Sequence, residues 1–205
     1  FAVFAALKKQ YGLRAWTEWP EEAQRYPERM NAALEAAGRS ECPSVREAAK
    51  ILPDPGVSPE EVRYEVFLQY LFFRQFGKLR AYIQRIGLKL MGDIPFYCGH
   101  DSADVWMHRD MFLLDKKGFP TSVAGVPPDY FSETGQRWGN PIYDWERMEA
   151  DGFSFLKDRM AGTARLFDMI RIDHFRAFDT FYKIPASCPT AMEGEWIEPP
   201  GYAFF

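Results

Sequence analysis

The chain holds little cysteine. Cys42, Cys98 and Cys188 are its three cysteines, odd in number and widely spaced, which argues against a disulfide framework and against a thiolate metal cluster. His100, Asp101, Asp104 and His108 lie close together in sequence, but their spacing matches no metal-ligand pattern, so no metal and no cofactor is expected. There is no apolar run near the ~20 residues needed to cross a bilayer, and the first residues lack the zones of a signal peptide. A membrane partner is therefore not expected, and a reducing cytoplasm is the expected location. The net charge is only −4, with basic residues scattered through helical patterns, so no nucleic-acid partner is expected either. Gly-rich stretches are not followed by helices at phosphate-binding spacing, which leaves a nucleotide site without support. No internal repeat or low-complexity segment is present.

What is there is a folded protein's composition. Apolar residues make up 47% and aromatics 17% of 205 residues, which excludes disorder and suits either one domain or a piece of a larger one. The opening "FAVFAALKKQYG" carries Phe1, Phe4 and Leu7 at helical spacing, so a helix is already under way at the first residue. An internal fragment is the expectation.

Residues 13–58 read as a small, mostly helical subdomain, broken by Pro20 and Pro27 and closed by Gly38, with Ser44 and Glu47 in a capping-box pattern. "SPEEVRYEVFLQYLFFRQFGKLRAYIQRIG" predicts a long helix: Ser58 caps, Pro59 suits the first turn, and Gly87 ends it. "LKLMGDIPFY" then predicts a buried strand with Asp93 at its carboxyl end. Residues 103–143 carry many turn signals and few apolar rows, which reads as a long excursion, with a loop at about 115–145 rich in aromatics. A helix from about Asp144 or Gly152 to Phe167 leads into "MIRIDHFRAF".

In "MIRID", Ile170 and Ile172 share one face of a strand and Arg171 and Asp173 the other. An adjacent guanidinium favours the ionised carboxylate, so Arg171 is expected to hold Asp173 charged and oriented. Parallel barrels place chemistry at the carboxyl ends of their strands, where both Asp173 and Asp93 are expected. A strand-end Asp beside an Arg is, on spacing alone, more often a structural ion pair than a catalytic group.

"GDIPFY", "DSADVW", "VAGVPPDYFSETGQRWGNPIYDW" and "IRIDHFRAF", in that order, together with "QYLFFRQF" and "YKIPASCPTA", resemble the 4-α-glucanotransferase (amylomaltase, disproportionating enzyme) family of the α-amylase superfamily, most of all the amylomaltases of thermophilic bacteria. The resemblance covers essentially the whole chain. It implies an α/β fold: a partial (β/α)8 barrel of about two strands, a helical subdomain and a long aromatic active-site loop. The implied reaction cuts an α-1,4-glucan and passes the released segment to the 4-hydroxyl of another glucan or of glucose, with maltooligosaccharides and amylose as partners. It also implies Asp173 as nucleophile, Arg171 as the group keeping it charged, and substrate contacts at His174, Asp93, Asp129, Tyr130, Phe131 and Trp138. Ala177 stands where the family commonly has Gly, a change expected to be tolerated.

A retaining mechanism needs a second carboxyl group about 5–5.5 Å from the nucleophile. In the family it is a Glu on a later strand, beyond Phe205, so this segment alone is expected to be inactive. Two alternatives stay open: a noncatalytic carbohydrate-binding remnant, and an α-glucan hydrolase of the same superfamily.

Overall fold

A computed structural model describes residues 1–38 and 50–205. Ser44 and Glu47, and with them the expected capping box, lie outside the described residues, as does Cys42. The chain divides into two compact units, Phe1–Gln75 and Phe76–Phe205.

The first unit opens on helix α1 (Ala2–Gln10). Gly12, with φ of 65°, ends it: the Gly12 and Leu13 amides return to the Lys9 and Lys8 carbonyls, a glycine-based closure that takes up carbonyls the helix leaves free. A turn over Trp16–Glu18 leads to α2 (Glu21–Gln24) and α3 (Tyr26–Ala36). Pro20 immediately precedes α2. Pro27 lies in the first turn of α3, where its missing amide costs no helical bond, so it starts a helix rather than breaking one. Leu7, Trp16, Trp19 and Tyr26 are buried and form this unit's core, and Lys9 pairs with the buried Glu65. Glu65 lies on α4 (Pro59–Arg85), the predicted long helix. Ser58 Oγ accepts the Glu60 amide at 3.2 Å, and Gly87 closes the other end, with the Gly87 and Leu88 amides on the Gln84 and Ile83 carbonyls.

The second unit is a mixed α/β body. Strand β1 (Met91–Pro95) pairs in parallel with a later strand, β4 (Met169–Asp173). Asp168 sets this register from below: its carboxylate accepts the Leu90 amide at 2.9 Å and pairs with Arg80 at 3.2 Å, while its own amide donates to the Leu90 carbonyl. β1 is not uniformly buried as expected. Gly92 and Ile94 face inward, while Met91, Asp93 and Pro95 lie exposed, because a two-stranded pair has one open face. Gly92 is required there, since a Cβ would fall 2.2 Å from the Phe167 ring.

The stretch expected to be a long loop contains two strands. After α5 (Ala103–Met107), β2 (Ser122–Val126) and β3 (Gln136–Pro141) form a hairpin within a four-stranded sheet of order β3-β2-β5-β6, where β5 is Phe181–Pro185 and β6 is Glu195–Ile197. The turn signals were sound locally. At "DKKG", for example, Asp115 accepts the Lys117 and Phe119 amides at 2.8 and 2.9 Å. The two starts considered for the next helix are both used, by α6 (Trp145–Ala150), capped by Asp144, and α7 (Ser154–Ala164), with Gly152 and Phe153 between them at positive φ. Aromatics build the core of this unit: the Phe96 ring lies 4.9–5.4 Å from those of Tyr97, Tyr143 and Phe178.

Candidate active site

β1 and β4 run side by side, so residues at matched register share a face of the pair. Asp93 is the register partner of Arg171, and Pro95 that of Asp173. Asp93 therefore sits at the middle of β1, two residues short of the carboxyl end where it was expected. The consequence is an ion pair across the strands. Arg171 Nε donates to Asp93 Oδ1 at 3.0 Å and its NH2 group to Oδ2, a two-point contact that holds both side chains in place. The guanidinium's hydrogen bond, the largest influence, holds the Asp93 carboxyl below the usual carboxylate range, against some desolvation.

This corrects the expected role of Arg171. Its hydrogen bonds go to Asp93, whose register places it opposite, and not to Asp173, which is two residues along the same strand and reaches it only as a weaker electrostatic neighbour. Asp173 is the last residue of β4 and is exposed. Its carboxylate makes no hydrogen bond among the described residues, while its backbone carbonyl accepts the Phe96 amide at 3.3 Å. The result is a free carboxylate on a fixed backbone.

His174 follows at φ 58° and ψ 44°, the left-handed region, and turns the chain into the short helical turn Phe175–Phe178. A non-glycine residue there marks a backbone held by its surroundings. Its ring is 5.0 Å from Trp138, at right angles, and 5.9 Å from Tyr97. Burial lowers its pKa below the usual histidine value, the nearby Asp173 charge opposes that, and Arg176 adds to it, a balance that favours the neutral ring. Nε2 is buried and has no partner among the described residues. Trp138, on β3, is partly exposed and donates from Nε1 to the Gln136 amide oxygen at 3.1 Å.

Asp129, Tyr130 and Phe131 are not brought to this cluster. They occupy the 127–135 connection between β2 and β3, where Asp129 Oδ1 accepts the Phe131 and Ser132 amides, both at 2.9 Å. That turn projects Tyr130 and Phe131 outward, 96% and 89% exposed, with their rings 5.5 Å apart. Arg176 is engaged elsewhere, over the Trp196 ring at 4.2 Å and on the Thr180 hydroxyl. Ala177 is fully buried.

The sequence reading missed Tyr97, Tyr143 and Arg159. Tyr97 is buried beside His174, and burial pushes its hydroxyl well above the usual tyrosine value. Tyr143 donates to the Phe96 carbonyl, and Arg159, on α7, donates to the Pro95 and Phe96 carbonyls. The strand-end sequence "PFY" was a local signal for Tyr97, whereas nothing local marks Arg159.

Among the described residues no helix is long and apolar enough to cross a membrane. A family profile described as 4-alpha-glucanotransferase matches residues 1–205. The chain is 45% identical over 205 residues to a 4-alpha-glucanotransferase of Thermus thermophilus, covering all of this chain and 37% of that protein. It is 42% identical over 204 residues to the chloroplastic/amyloplastic 4-alpha-glucanotransferase of Arabidopsis thaliana, of which it spans 32%. Among solved structures, amylomaltase from Streptococcus agalactiae in complex with acarbose superposes with a TM-score of 0.81 at 32% identity, covering the whole chain and 37% of its own. The chain thus spans about a third of the length of these relatives, and along that whole span it belongs to the 4-alpha-glucanotransferase family.

Proposed function

We propose that the protein carrying this segment is a 4-α-glucanotransferase acting by retaining double displacement, with Asp173 as the nucleophile. The observation that carries this reading is the state of Asp173: exposed at a strand end, fixed through its backbone, with a carboxylate that accepts no hydrogen bond among the described residues. Arg171 shares its face while being pinned by Asp93, so positive charge stays near the nucleophile without occupying it. A neutral His174 beside Trp138 offers a hydrogen-bonding edge and a flat apolar face, which suits a glucose ring.

In this reading Asp173 attacks the anomeric carbon of an α-1,4-glucan and forms a glycosyl-enzyme ester. The glutamate that protonates the leaving oxygen, and then deprotonates the acceptor's 4-hydroxyl, belongs to a later strand of the family's barrel. Residues 1–205 are then part of a (β/α)8 catalytic domain, with β1 and β4 as two barrel strands and a helical subdomain at about 13–58. Half-exposed apolar side chains such as Phe72, Phe73 and Leu79 on α4, with Met91 and Met169 on the strand pair, support this, since further barrel elements would cover such surface. The hairpin tip around Tyr130 is the cleft-covering element, maltooligosaccharides and amylose are donors, glucose serves as an acceptor, and the cytoplasm is the location.

The test is product analysis on maltotriose with the full-length protein and its Asp173→Asn variant. Longer oligosaccharides plus glucose, lost in the variant, are the expected result. Shorter products alone would make the protein a hydrolase, transfer that survives in the variant would remove Asp173 from the reaction, and binding without turnover would leave a carbohydrate-binding protein.

A further inference from the structure

Arg159 spends its charge on backbone. NH1 donates to the Phe96 carbonyl at 3.0 Å and to the Tyr143 hydroxyl at 3.1 Å, and NH2 donates to the Pro95 carbonyl at 2.9 Å. No carboxylate pairs with it among the described residues. Tyr143, itself buried, also donates to the Phe96 carbonyl. A single peptide oxygen therefore accepts a charged and a neutral donor, while the amide of the same residue donates to the Asp173 carbonyl at 3.3 Å.

We propose that Arg159 is a positioning residue that fixes the nucleophile's backbone through Phe96. This rests on the reading of Asp173 as nucleophile. Bonding the guanidinium to the Pro95 carbonyl polarises the Pro95–Phe96 peptide group, whose N–H is the Phe96 amide, and strengthens that amide as a donor, while the bonds to the Phe96 carbonyl hold the next peptide in place. The acceptor, the Asp173 carbonyl, belongs to the peptide plane that joins Asp173 to His174. That plane sets both the direction in which the Asp173 side chain leaves the strand and the entry of His174 into its left-handed conformation. The planar guanidinium matters as much as its charge, because its fork reaches Pro95 and Phe96 together, whereas an ammonium is a point donor on a flexible stem.

The experiment measures maltotriose disproportionation by the full-length protein and by its Arg159→Lys, Arg159→Met and Tyr143→Phe variants, with rates expressed per folded active site. A nucleophile displaced by a fraction of an ångström lowers kcat, and the expected loss is about 10- to 100-fold for Arg159→Met. Arg159→Lys retains part of the rate, Tyr143→Phe shows a smaller fall, and KM stays within about threefold throughout, as a change confined to the chemical step requires. A merely structural arginine would lower the folded fraction and leave kcat per folded site unchanged. If Arg159→Lys and Tyr143→Phe both keep the parental kcat while Asp173→Asn abolishes turnover, the inference fails and the nucleophile reading stands. If Asp173→Asn retains transfer, both fail together.

Discussion

Asp93 and Arg171, 78 residues apart, are register partners across the parallel strands, and the arginine's fork closes on both carboxylate oxygens. Because the pair is exposed, its value lies in geometry rather than stability. Arg171→Lys is therefore expected to leave the thermal midpoint nearly unchanged and to lower kcat/KM by at least about tenfold, through loss of the two-point contact. It should also let the Asp93 pKa rise toward that of an ordinary aspartate, which NMR titration of the carboxyl carbon would read. An Asp93 resonance that titrates identically in both proteins would show that the fork does not govern it.

The same pair sets a direction with pH. The folded-state pKa of Asp93 is depressed, so its contribution to stability is fully present above the unfolded value of about 3.9 and is lost as pH falls through the lower, folded value. Acid denaturation of Asp93→Asn should accordingly show a shallower loss of stability below about pH 4 than the parent. Equal slopes would contradict this linkage.

How far the site could be read from sequence depends on how local its causes are. The alternation in "MIRID" places Asp173 at the strand end on the face it occupies, and the glycine after α4 closes that helix as predicted. The partner of Arg171 was misjudged because the residue two positions along is visible in the sequence, whereas a register partner 78 residues earlier is not. β2 was hidden for a similar reason. "SVAGV" is short and nearly all buried, without alternation to display, and it becomes a strand by pairing with β5 some sixty residues later. In the same aromatic stretch Tyr143 and Trp145 pack around Phe96 in the core, and no local pattern separates them from Tyr130, Phe131 and Trp138, the three expected at the sugar.

His174 gives a second titration. Its pKa is lowered by burial and raised in part by Asp173, so removing that charge with Asp173→Asn should lower it further. NMR titration of the ring would show the shift; an increase would mean that Asp173 does not act on the ring. Between the folded pKa and the unfolded value of about 6.5 the unfolded chain binds the proton more readily. His174 therefore favours the fold above about pH 6.5, and that contribution is lost as pH falls toward the folded pKa.

Gly125 tests the hairpin. A Cβ there would meet the Gln136 carbonyl oxygen at 2.1 Å and Ile184 Cδ1 at 2.5 Å, at a place where the β2–β3 register shifts. Gly125→Ala is expected to destabilise the fold by about 1–3 kcal/mol, because backbone oxygen cannot step aside as a flexible side chain can. Chemical denaturation of the full-length protein would measure it. An unchanged midpoint would mean that the hairpin relaxes freely, and the placement of Trp138 would then not depend on this close approach.

Trp138 and the Tyr130–Phe131 pair separate two ways in which an aromatic can serve a sugar site. Trp138 is partly exposed and its ring lies against His174, so Trp138→Ala removes a contact that the site uses even when empty. It is expected to reduce stability, to bring the His174 pKa back toward 6.5 as that ring gains water, and to lower kcat/KM for every glucan length. Tyr130 and Phe131 touch little but each other, so their alanine variants should change stability by no more than about 0.5 kcal/mol. If the hairpin tip closes over bound glucan, each substitution removes a stacking contact worth about 0.5–1.5 kcal/mol, which is a rise of roughly 2- to 10-fold in KM. The rise should be larger for long donors than for maltotriose, since a tip so far exposed gains a partner only from chain extending beyond the cleft. Equal KM values at all lengths in Tyr130→Ala and Phe131→Ala would leave the tip without a role in binding, and Trp138 as the aromatic on which the site depends.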